Sequence, residues 1–541
     1  MKVSEKILLW VCRLLIVVSF CFNYPRVFDR KMDTNGDNYN YYLLAQNLAE
    51  GKGYISDVGP RPEPHLHFPP GYPVFMSLFL YVFPDNVVAM KAINGILLLV
   101  SLLLLFRIVR KTTGKHGLWY ALIACLLCTF HGELLRWATI MMSEMLYLLI
   151  SLGIIALCLE LDMDRVRSKD WRHIARLAGI CLLCAAAYFV RTIGISVVLA
   201  VALAFFVQAM KGLRRRKTEG RRWLVPLLAC ALVLLSLGIA HESWSLRNHR
   251  VAPGWHSDYL DSFQAPSSEA GSLDFWKTRI GINLTAFISF YIPYSVTIPV
   301  NAVTTPESID MKHMHWWLGL LIIGLMVIGF LSMKGLQWLL LSYVLITFGV
   351  LMVYPPSYAG MRYFVPLLPL LIAALVVGFG SLLGWIVRKL LHRATWLPLA
   401  LTMLAAAALI PFYFFSQVQY WMMADSASYE SNFQQLIDAS VFSRELPEEW
   451  ITATTKPEIF YFHSNRHHAI SVPRTGSAEE TIKYLEDNQV DMVLIDRWFP
   501  TTSRQITPML EHYSHRFSLI ERFGDMDHPT ALLHFEPEPR E

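Results

Sequence analysis

Long runs of apolar residues with almost no charge constrain this chain more than any other feature. Several runs approach or exceed the roughly 20 residues that a helix needs to cross a lipid bilayer. Only 16% of the 541 residues are charged, against about 25% in ordinary soluble proteins. The sequence therefore predicts a polytopic α-helical membrane protein and excludes a soluble, disordered, coiled-coil or disulfide-scaffold chain. The predicted spans, about eleven, are residues 7–24, 86–109, 117–132, 142–161, 174–190, 192–210, 223–241, 315–333, 336–354, 363–387 and 396–416.

Two apolar stretches do not fit a single uninterrupted span. Residues 174–210 are too many for one helix and carry Arg191 near their middle, so we divide them into two spans there. Residues 279–300 are interrupted by polar and proline residues, including Asn283 and Pro293. We predict that this second stretch is re-entrant or lies on the membrane surface, with a further span as the main alternative.

Lysine and arginine are concentrated in alternate loops between the predicted spans. Residues 165–172 and 211–222 carry several basic side chains, whereas the intervening loops carry single arginines such as Arg136 and Arg362. Because basic loops stay in the cytoplasm, we predict a cytoplasmic N-terminus. The net charge of +5 reflects these loops and gives no reason to expect nucleic acid as a partner. The long polar segments then all lie on the outer face: residues 25–85, 241–314 and 417–541.

All eight cysteines fall inside apolar runs, so the outer segments need no disulfides. Together with the lack of a retention signal, this favours a bacterial inner membrane. We therefore predict a membrane domain over residues 1–416, which includes the first two outer segments, and a periplasmic domain over residues 417–541.

The predicted periplasmic domain alternates between strand-like and helix-like patterns, which indicates a small α/β sheet. Ser477 and Glu480 form a capping box at the start of one helix. Asp491 and Asp496 flank a predicted buried strand, where we expect structural roles, and no residue of this domain is predicted to be catalytic. The predicted strands are residues 449–455, 468–473, 490–496, 517–523 and 530–536, and the predicted helices are residues 431–442, 477–489 and 503–515.

The first outer segment carries the most informative pattern. Apolar residues at helical spacing follow Asp37, which we expect to cap a short helix, and Gly51 can end it in a left-handed conformation. A proline-rich turn at 69–73 then leads into a second short apolar helix, 74–83. Helices of this kind lie in the membrane interface.

At these residues the sequence resembles the GT-C glycosyltransferases, and within them the protein mannosyltransferase and lipid A aminoarabinose transferase group. The resemblance follows Asp-x-x-x-Tyr-x-x-x-Ala-x-x-Leu-x-x-Gly-x-Gly-Tyr from Asp37 to Tyr54, and then Pro-Pro-Gly-Tyr-Pro at 69–73. It implies a GT-C-like membrane fold, a polyprenyl-phosphate-linked sugar as donor, and an Asp in the first outer loop as general base. Further matches begin at Ser143, Arg191, Ser243 and Arg362.

The residues are also suited to this chemistry in their own right. A lipid-linked phosphate leaves without protonation near neutral pH, so the enzyme needs a carboxylate to accept the proton of the acceptor hydroxyl. Asp37 is the predicted base, with Asp33 as the next candidate, although Asp37 can also serve as a helix cap. Glu144 is predicted either to line the site and orient the acceptor, or to be a simple first-turn acid favoured by the helix dipole.

Cations are needed to hold the donor phosphate. Arg191, Arg247 and Arg362 are lone arginines at the predicted outer boundary, where each can bind phosphate, snorkel, or pair with an acid. Tyr41 and Tyr363 can hydrogen-bond phosphate or sugar, or can simply be interfacial tyrosines.

His65 and His67 alternate and would face the same way in an extended segment. With Asp37 or Glu144 they could complete a divalent metal site, although no third ligand follows at a fixed spacing. We therefore include His67 among the predicted substrate-binding residues and leave metal dependence open.

Two other functional classes remain. A transporter or flippase of lipid-linked sugars usually has ionisable groups in the middle of the membrane and repeated halves, which this sequence lacks. A non-catalytic scaffold for envelope assembly would leave the acid of the first loop unexplained. The sugar is open, and the acceptor can be a glycan, a lipid or a protein.

Overall fold

The chain consists of two compact units. The helical unit comprises Met1–Arg30, Leu66–Tyr72 and Val87–Ala424, and the sheet unit comprises Lys31–His65, Pro73–Asn86 and Asp425–Glu541. The computed structural model describes residues 3–215, 220–255, 273–297, 309, 314–357, 360–391, 396–426, 428–473, 477–524 and 529–537.

All the predicted spans coincide with helices of the helical unit. Within the described residues, seven helices are long and apolar enough to cross a membrane, as an integral membrane protein requires. Four further helices match predicted spans but have only 14 to 17 residues, because polar residues or turns end them early. The long helices are Glu5–Val27, Val87–Thr112, Trp171–Val190, Thr192–Arg214, Leu224–Val251, Met361–Leu390 and Leu397–Asp425. The shorter ones are Gly117–Phe130, Glu144–Glu160, Trp316–Ser332 and Gln337–Val353.

Small residues allow two of these helices to pack very closely. Trp316–Ser332 lies against the helix Leu368–Leu391. A side chain at Gly329 would clash with the backbone carbonyl of Ala374, and one at Gly378 would clash with that of Leu325. Close backbone approach through small residues is a common basis of helix association in membranes, where the hydrophobic effect contributes little between helices.

The stretch predicted to be re-entrant or to lie on the surface is helical as far as the structure describes it. Leu273–Ala286 continues through a wider π-helical turn, Phe287–Tyr291, into Ile292–Val296. Phe287, Tyr291 and Val296 are buried inside the unit, and the side chain of Asn283 donates hydrogen bonds to three backbone carbonyls, those of Leu351, Met352 and Tyr354. The second half of this stretch is therefore buried inside the helical unit as far as residue 296. Its position relative to the membrane stays a prediction, and residues 298–300 lie outside the described residues.

The sheet unit begins with the helix Gly36–Ala49. Its N-cap is Asn35 rather than Asp37, because the Asn35 side chain accepts the hydrogen bond from the backbone N–H of Asp37. Gly51 follows with φ +76°, as expected for a glycine that ends a helix. Strands β1 (Ile55–Ser56) and β2 (Glu63–Pro64) then pair antiparallel, and the helix predicted over 74–83 is Gly71–Leu80.

The strands of the tail, among its described residues, are β3 (Thr452–Thr454), β4 (Ala469–Ser471), β5 (Met492–Ile495), β6 (Phe517–Phe523) and β7 (Thr530–Phe535). They form a mixed sheet in the order β4-β3-β5-β7-β6. Strand β3 pairs in parallel with β4 and β5, whereas β7 pairs antiparallel with β5 and β6. Parallel neighbours need crossover connections, and helices supply them here. The helices are Ser431–Phe442, Pro457–His463, Ala478–Asp487 and Pro500–His512.

This arrangement confirms the predicted α/β sheet and adds two corrections. The helix Pro457–His463, which connects β3 to β4, was not predicted because seven residues are too few for a clear apolar period. The helix Leu397–Asp425 continues past residue 416, where the last predicted span ends. Asp491 and Asp496 have the structural roles predicted for them: the Asp491 side chain accepts from the backbone N–H of Ile451, and that of Asp496 accepts from the hydroxyls of Thr455 and Thr502.

Candidate functional site

Three predicted site residues meet inside the helical unit. Glu144 is the first residue of the helix Glu144–Glu160 and is completely buried. Arg191, at the C-terminal end of Trp171–Val190, places Nη1 2.5 Å from Glu144 Oε1. Arg362 places Nε 2.7 Å from the same oxygen. Segments far apart in sequence thus bring one carboxylate and two guanidinium groups to one point.

The contacts show what these residues pair with, which the sequence left open. Glu144 is not a simple first-turn acid, because it holds two arginines from other segments. Arg191 and Arg362 both pair with an acid, Glu144, in this structure. The three side chains together carry a net charge of +1, and each guanidinium has five N–H donors. Such a cluster is suited to holding an anion.

Aromatic side chains complete the surroundings of the cluster. The guanidinium of Arg191 lies 5.4 Å from the ring centre of Tyr363, a distance at which a cation and a ring attract one another. The hydroxyl of Tyr363 is 3.1 Å from that of Tyr354. One turn along from Glu144, the hydroxyl of Tyr147 accepts a 3.1 Å hydrogen bond from Tyr343. Sequence reasoning identified Tyr363 but missed Tyr343 and Tyr354, because nothing in their local pattern marks them.

Arg247 lies near the end of another helix of the same unit, Leu224–Val251. It donates a 2.8 Å hydrogen bond to the Asn248 side chain and stacks over the ring of Trp244 at 5.3 Å. Asn248 is buried and donates to the backbone carbonyl of Leu66. This contact connects the helix end to the proline-rich segment that contains His67.

The two histidines of the loop do not assemble a metal site in the part of the chain that the structure describes. His65 packs edge-on against Tyr54 in the sheet unit, and His67 packs against Phe68 in the helical unit. Among the described residues, no three His, Cys, Asp or Glu side chains group closely enough to hold a metal ion. The geometry of the described residues thus gives no support to the metal site that the sequence left open.

Asp37 and Asp33 lie in the sheet unit, around the start of the helix Gly36–Ala49. The side chain of Asp33 accepts a hydrogen bond of 3.1 Å from the backbone N–H of Asn35, so it shapes the turn that precedes the helix. Asp37 is half-buried in the first helical turn, where the positive end of the helix dipole stabilises a carboxylate. Tyr41, one turn later, is buried inside the unit.

The structure places a further carboxylate beside this turn that the sequence did not indicate. Glu458, from the helix Pro457–His463, is 8% exposed, and its Oε1 lies 3.9 Å from the Lys456 ammonium. Burial raises the pKa of Glu458, Lys456 opposes the rise, and the negative charge of Asp37 adds to it. Asp37 and Glu458 are therefore close enough to influence each other's ionisation.

Comparison with other proteins identifies the fold. No protein-family model matches the chain, and no curated protein sequence matches it. The structure is similar to that of ArnT from Cupriavidus metallidurans bound to undecaprenyl phosphate, with a TM-score of 0.54 and 12% identity over 97% of this chain and 98% of ArnT. It is also similar to the archaeal oligosaccharyltransferase AglB from Archaeoglobus fulgidus in complex with an inhibitory peptide and a dolichol-phosphate. That similarity has a TM-score of 0.55 and 12% identity over 91% of this chain and 69% of AglB.

The chain has the GT-C fold. The resemblance drawn from the first-loop motifs is thereby confirmed at the level of fold. Because sequence identity to both structures is low, the GT-C fold by itself leaves the activity to be argued from the chain's own residues.

Proposed function

We propose that this chain is an integral membrane glycosyltransferase that transfers a sugar from a polyprenyl-phosphate-linked donor to an acceptor. The observation that carries the proposal is the meeting of Arg191 and Arg362 at Glu144 in a chain with the GT-C fold. ArnT has this fold along nearly its whole length and was solved with undecaprenyl phosphate. A buried site rich in guanidinium groups is what a phosphate headgroup requires.

In the proposed reaction, an oxygen of the acceptor hydroxyl attacks the anomeric carbon of the sugar. The bond between that carbon and the phosphate oxygen breaks, and its electron pair leaves with the polyprenyl phosphate. The hydroxyl proton passes to the carboxylate of Asp37, with Asp33 as the second candidate for the base. No acid is needed on the leaving side, because the phosphate departs as a stable anion.

The arginines would hold the donor by its phosphate. Glu144 fixes Arg191 and Arg362 before the donor arrives, so that little reorganisation is needed when charge develops on the leaving group. Tyr363 supports Arg191 through its ring face. Arg247 is the third proposed phosphate ligand, and Tyr41 and His67 remain proposed contacts to the substrates.

The proposed location is a bacterial inner membrane, with the N-terminus in the cytoplasm and the reaction on the periplasmic face. The basic loops assigned to the cytoplasm support this orientation. The acceptor is proposed to be a glycan, a lipid or a protein side chain that reaches this face.

The test is in vitro transfer from a panel of polyprenyl-phosphate sugars, comparing the wild type with Asp37→Asn. Loss of a general base is expected to lower kcat by about 10²- to 10⁴-fold. Asp438→Asn is the matched control, because Asp438 accepts a hydrogen bond from Gln434 on the surface of the sheet unit and should tolerate the same change. A wild-type rate in Asp37→Asn would remove Asp37 as the base, and movement of the donor across the membrane without transfer would favour a flippase.

A further inference from the structure

The helix that carries Asp37 packs on a helix from the C-terminal part of the chain. Within the sheet unit, the hydroxyl of Tyr39 lies 3.0 Å from Nε2 of His463. The rings of Tyr39 and Tyr42 both meet Phe462 edge-on, at centroid distances of 5.3 Å and 5.6 Å. Both tyrosines are buried. The short helix Pro457–His463 is thus a support for Gly36–Ala49.

The contact is tightest at the first turn of the supported helix. A Cβ atom placed on Gly36 would clash with the carboxylate of Glu458 and would touch Lys456. A larger residue at this position would therefore force the Glu458 carboxylate to shift. Asp37 is the next residue along, so the Glu458 carboxylate lies beside the turn that presents the proposed base.

We infer that Glu458 is a positioning residue for Asp37, held beside the first turn of the base-carrying helix by the C-terminal α/β part of the chain. This inference rests on the proposed function of Asp37 as the base. It gives the C-terminal part a role in transfer itself, whereas the sequence had predicted nothing catalytic there.

The charges around Glu458 suit such a role. Burial is the main cause that raises its pKa, and of the two charged neighbours, Lys456 opposes the rise while Asp37 adds to it. Tyr39, which has Asp33 among its own charged neighbours, is a further titratable group near Glu458. Charge on one carboxylate disfavours charge on its neighbour. The ionisation of Glu458 is therefore coupled to that of the proposed base.

The hydrogen bond between Tyr39 and His463, which joins the two helices, does not depend on pH near neutrality. Burial lowers the pKa of His463 to about 4, with Arg444 adding to the effect. The ring is therefore neutral at pH 7 and gains a proton only as the pH falls to about 4. Above that range, a change in the pH profile would report on the carboxylate pair and not on protonation of His463.

The experiment compares Glu458→Gln with the wild type in the transfer assay, across a range of pH. We expect kcat to fall by about 10- to 100-fold, because a misplacement of about 1 Å at a catalytic group costs up to that factor. The KM for the donor should change by less than about twofold, since the arginine cluster is untouched. Removing a negative neighbour should also move the acidic limb of the profile to lower pH, and Glu458→Asp should recover part of kcat.

The matched control is Glu486→Gln, which removes the same charge from the same unit. Glu486 pairs with Arg516 at 2.6 Å and takes no part in the contact with the base-carrying helix. We expect it to leave the pH profile and the ratio of kcat to KM as in the wild type. An equal shift in both variants would mean that the effect is a general loss of structure.

A second measurement does not depend on activity. Glu458→Ala should speed amide hydrogen exchange at residues 40–43, whose N–H groups bond to carbonyls of the first helical turn, by about fivefold or more. If Asp37→Asn remains active, the proposed base is wrong. The amide exchange of Glu458→Ala still tests whether Glu458 stabilises the first turn of the helix Gly36–Ala49. If Asp37→Asn is inactive but the Glu458 variants match the wild type in rate, pH profile and exchange, the inference is overturned.

Discussion

Replacing Glu144 by glutamine removes the charge that two arginines share while keeping the size of the side chain. Its Oε1 lies 2.5 Å from Arg191 and 2.7 Å from Arg362. At an effective dielectric constant of about 20, each pair attracts by about 6 kcal/mol before desolvation is counted. The side chains of Glu144 and Arg191 are 0% and 7% exposed and that of Arg362 is 20% exposed, so water cannot readily replace the lost charge.

Breaking a buried pair by removing one partner typically costs about 3–5 kcal/mol, because the remaining charge stays buried. We therefore expect Glu144→Gln to lower the free energy of unfolding by about that amount. The assay is reversible unfolding of the purified protein in mixed micelles, followed by fluorescence, with donor binding measured on the folded fraction.

Glu160→Gln provides a control on the same helix. Glu160 also contacts two cations, Arg107 at 3.1 Å and Lys111 at shorter range, but their side chains are 46% and 36% exposed. Exposed pairs contribute about 0–1 kcal/mol, so this variant should unfold almost as the wild type does. If Glu144→Gln lowered the free energy of unfolding no more than Glu160→Gln does, the cluster would stabilise the protein no more than exposed ion pairs do. The reasoning on preorganised arginines would then be refuted.

Two further changes test the donor site and the packing of the membrane part. Arg362→Lys keeps the charge but loses the planar fork, so we expect the donor KM to rise by about tenfold with smaller loss of kcat; an unchanged KM in steady-state assays would speak against Arg362 as a phosphate ligand. Gly329→Ala should destabilise the protein by about 1–3 kcal/mol in the same unfolding assay, because its methyl group meets the backbone of Ala374. Gly324→Ala, on the same helix but with open space around it, should cost nothing, and equal effects would contradict the packing argument.

The membrane helices could be predicted from sequence because their signal is local. Each span shows in the sequence as an apolar run with few charged residues. The sheet unit shows as alternating segments such as 517–523, which is a strand with those bounds. Helix ends were less predictable, because capping depends on which of several neighbouring polar side chains turns back. Asn35 and Asp37 are both able to cap, and only the folded turn selects Asn35.

The candidate site could be predicted residue by residue but not as an arrangement. Glu144, Arg191 and Arg362 were each marked by position near a span end, yet their meeting depends on how helices far apart in sequence pack. Glu458 could not have been found, because its neighbour Gly36 lies over 400 residues away in sequence and its own helix is too short to show a period.

The sheet unit draws its residues from both ends of the chain. The first residue of strand β4, Ala469, donates its backbone N–H to the carbonyl of Val58, from the loop near the N-terminus. Val58 therefore covers part of the free edge of strand β4, which would otherwise be open to pairing with another chain. A recombinant fragment cut at residue 425 would leave behind the piece that closes this edge, together with Tyr39 and Tyr42. Producing the tail as a soluble reagent, or exchanging it between proteins of this fold, will therefore require the two separated segments to be joined in one polypeptide.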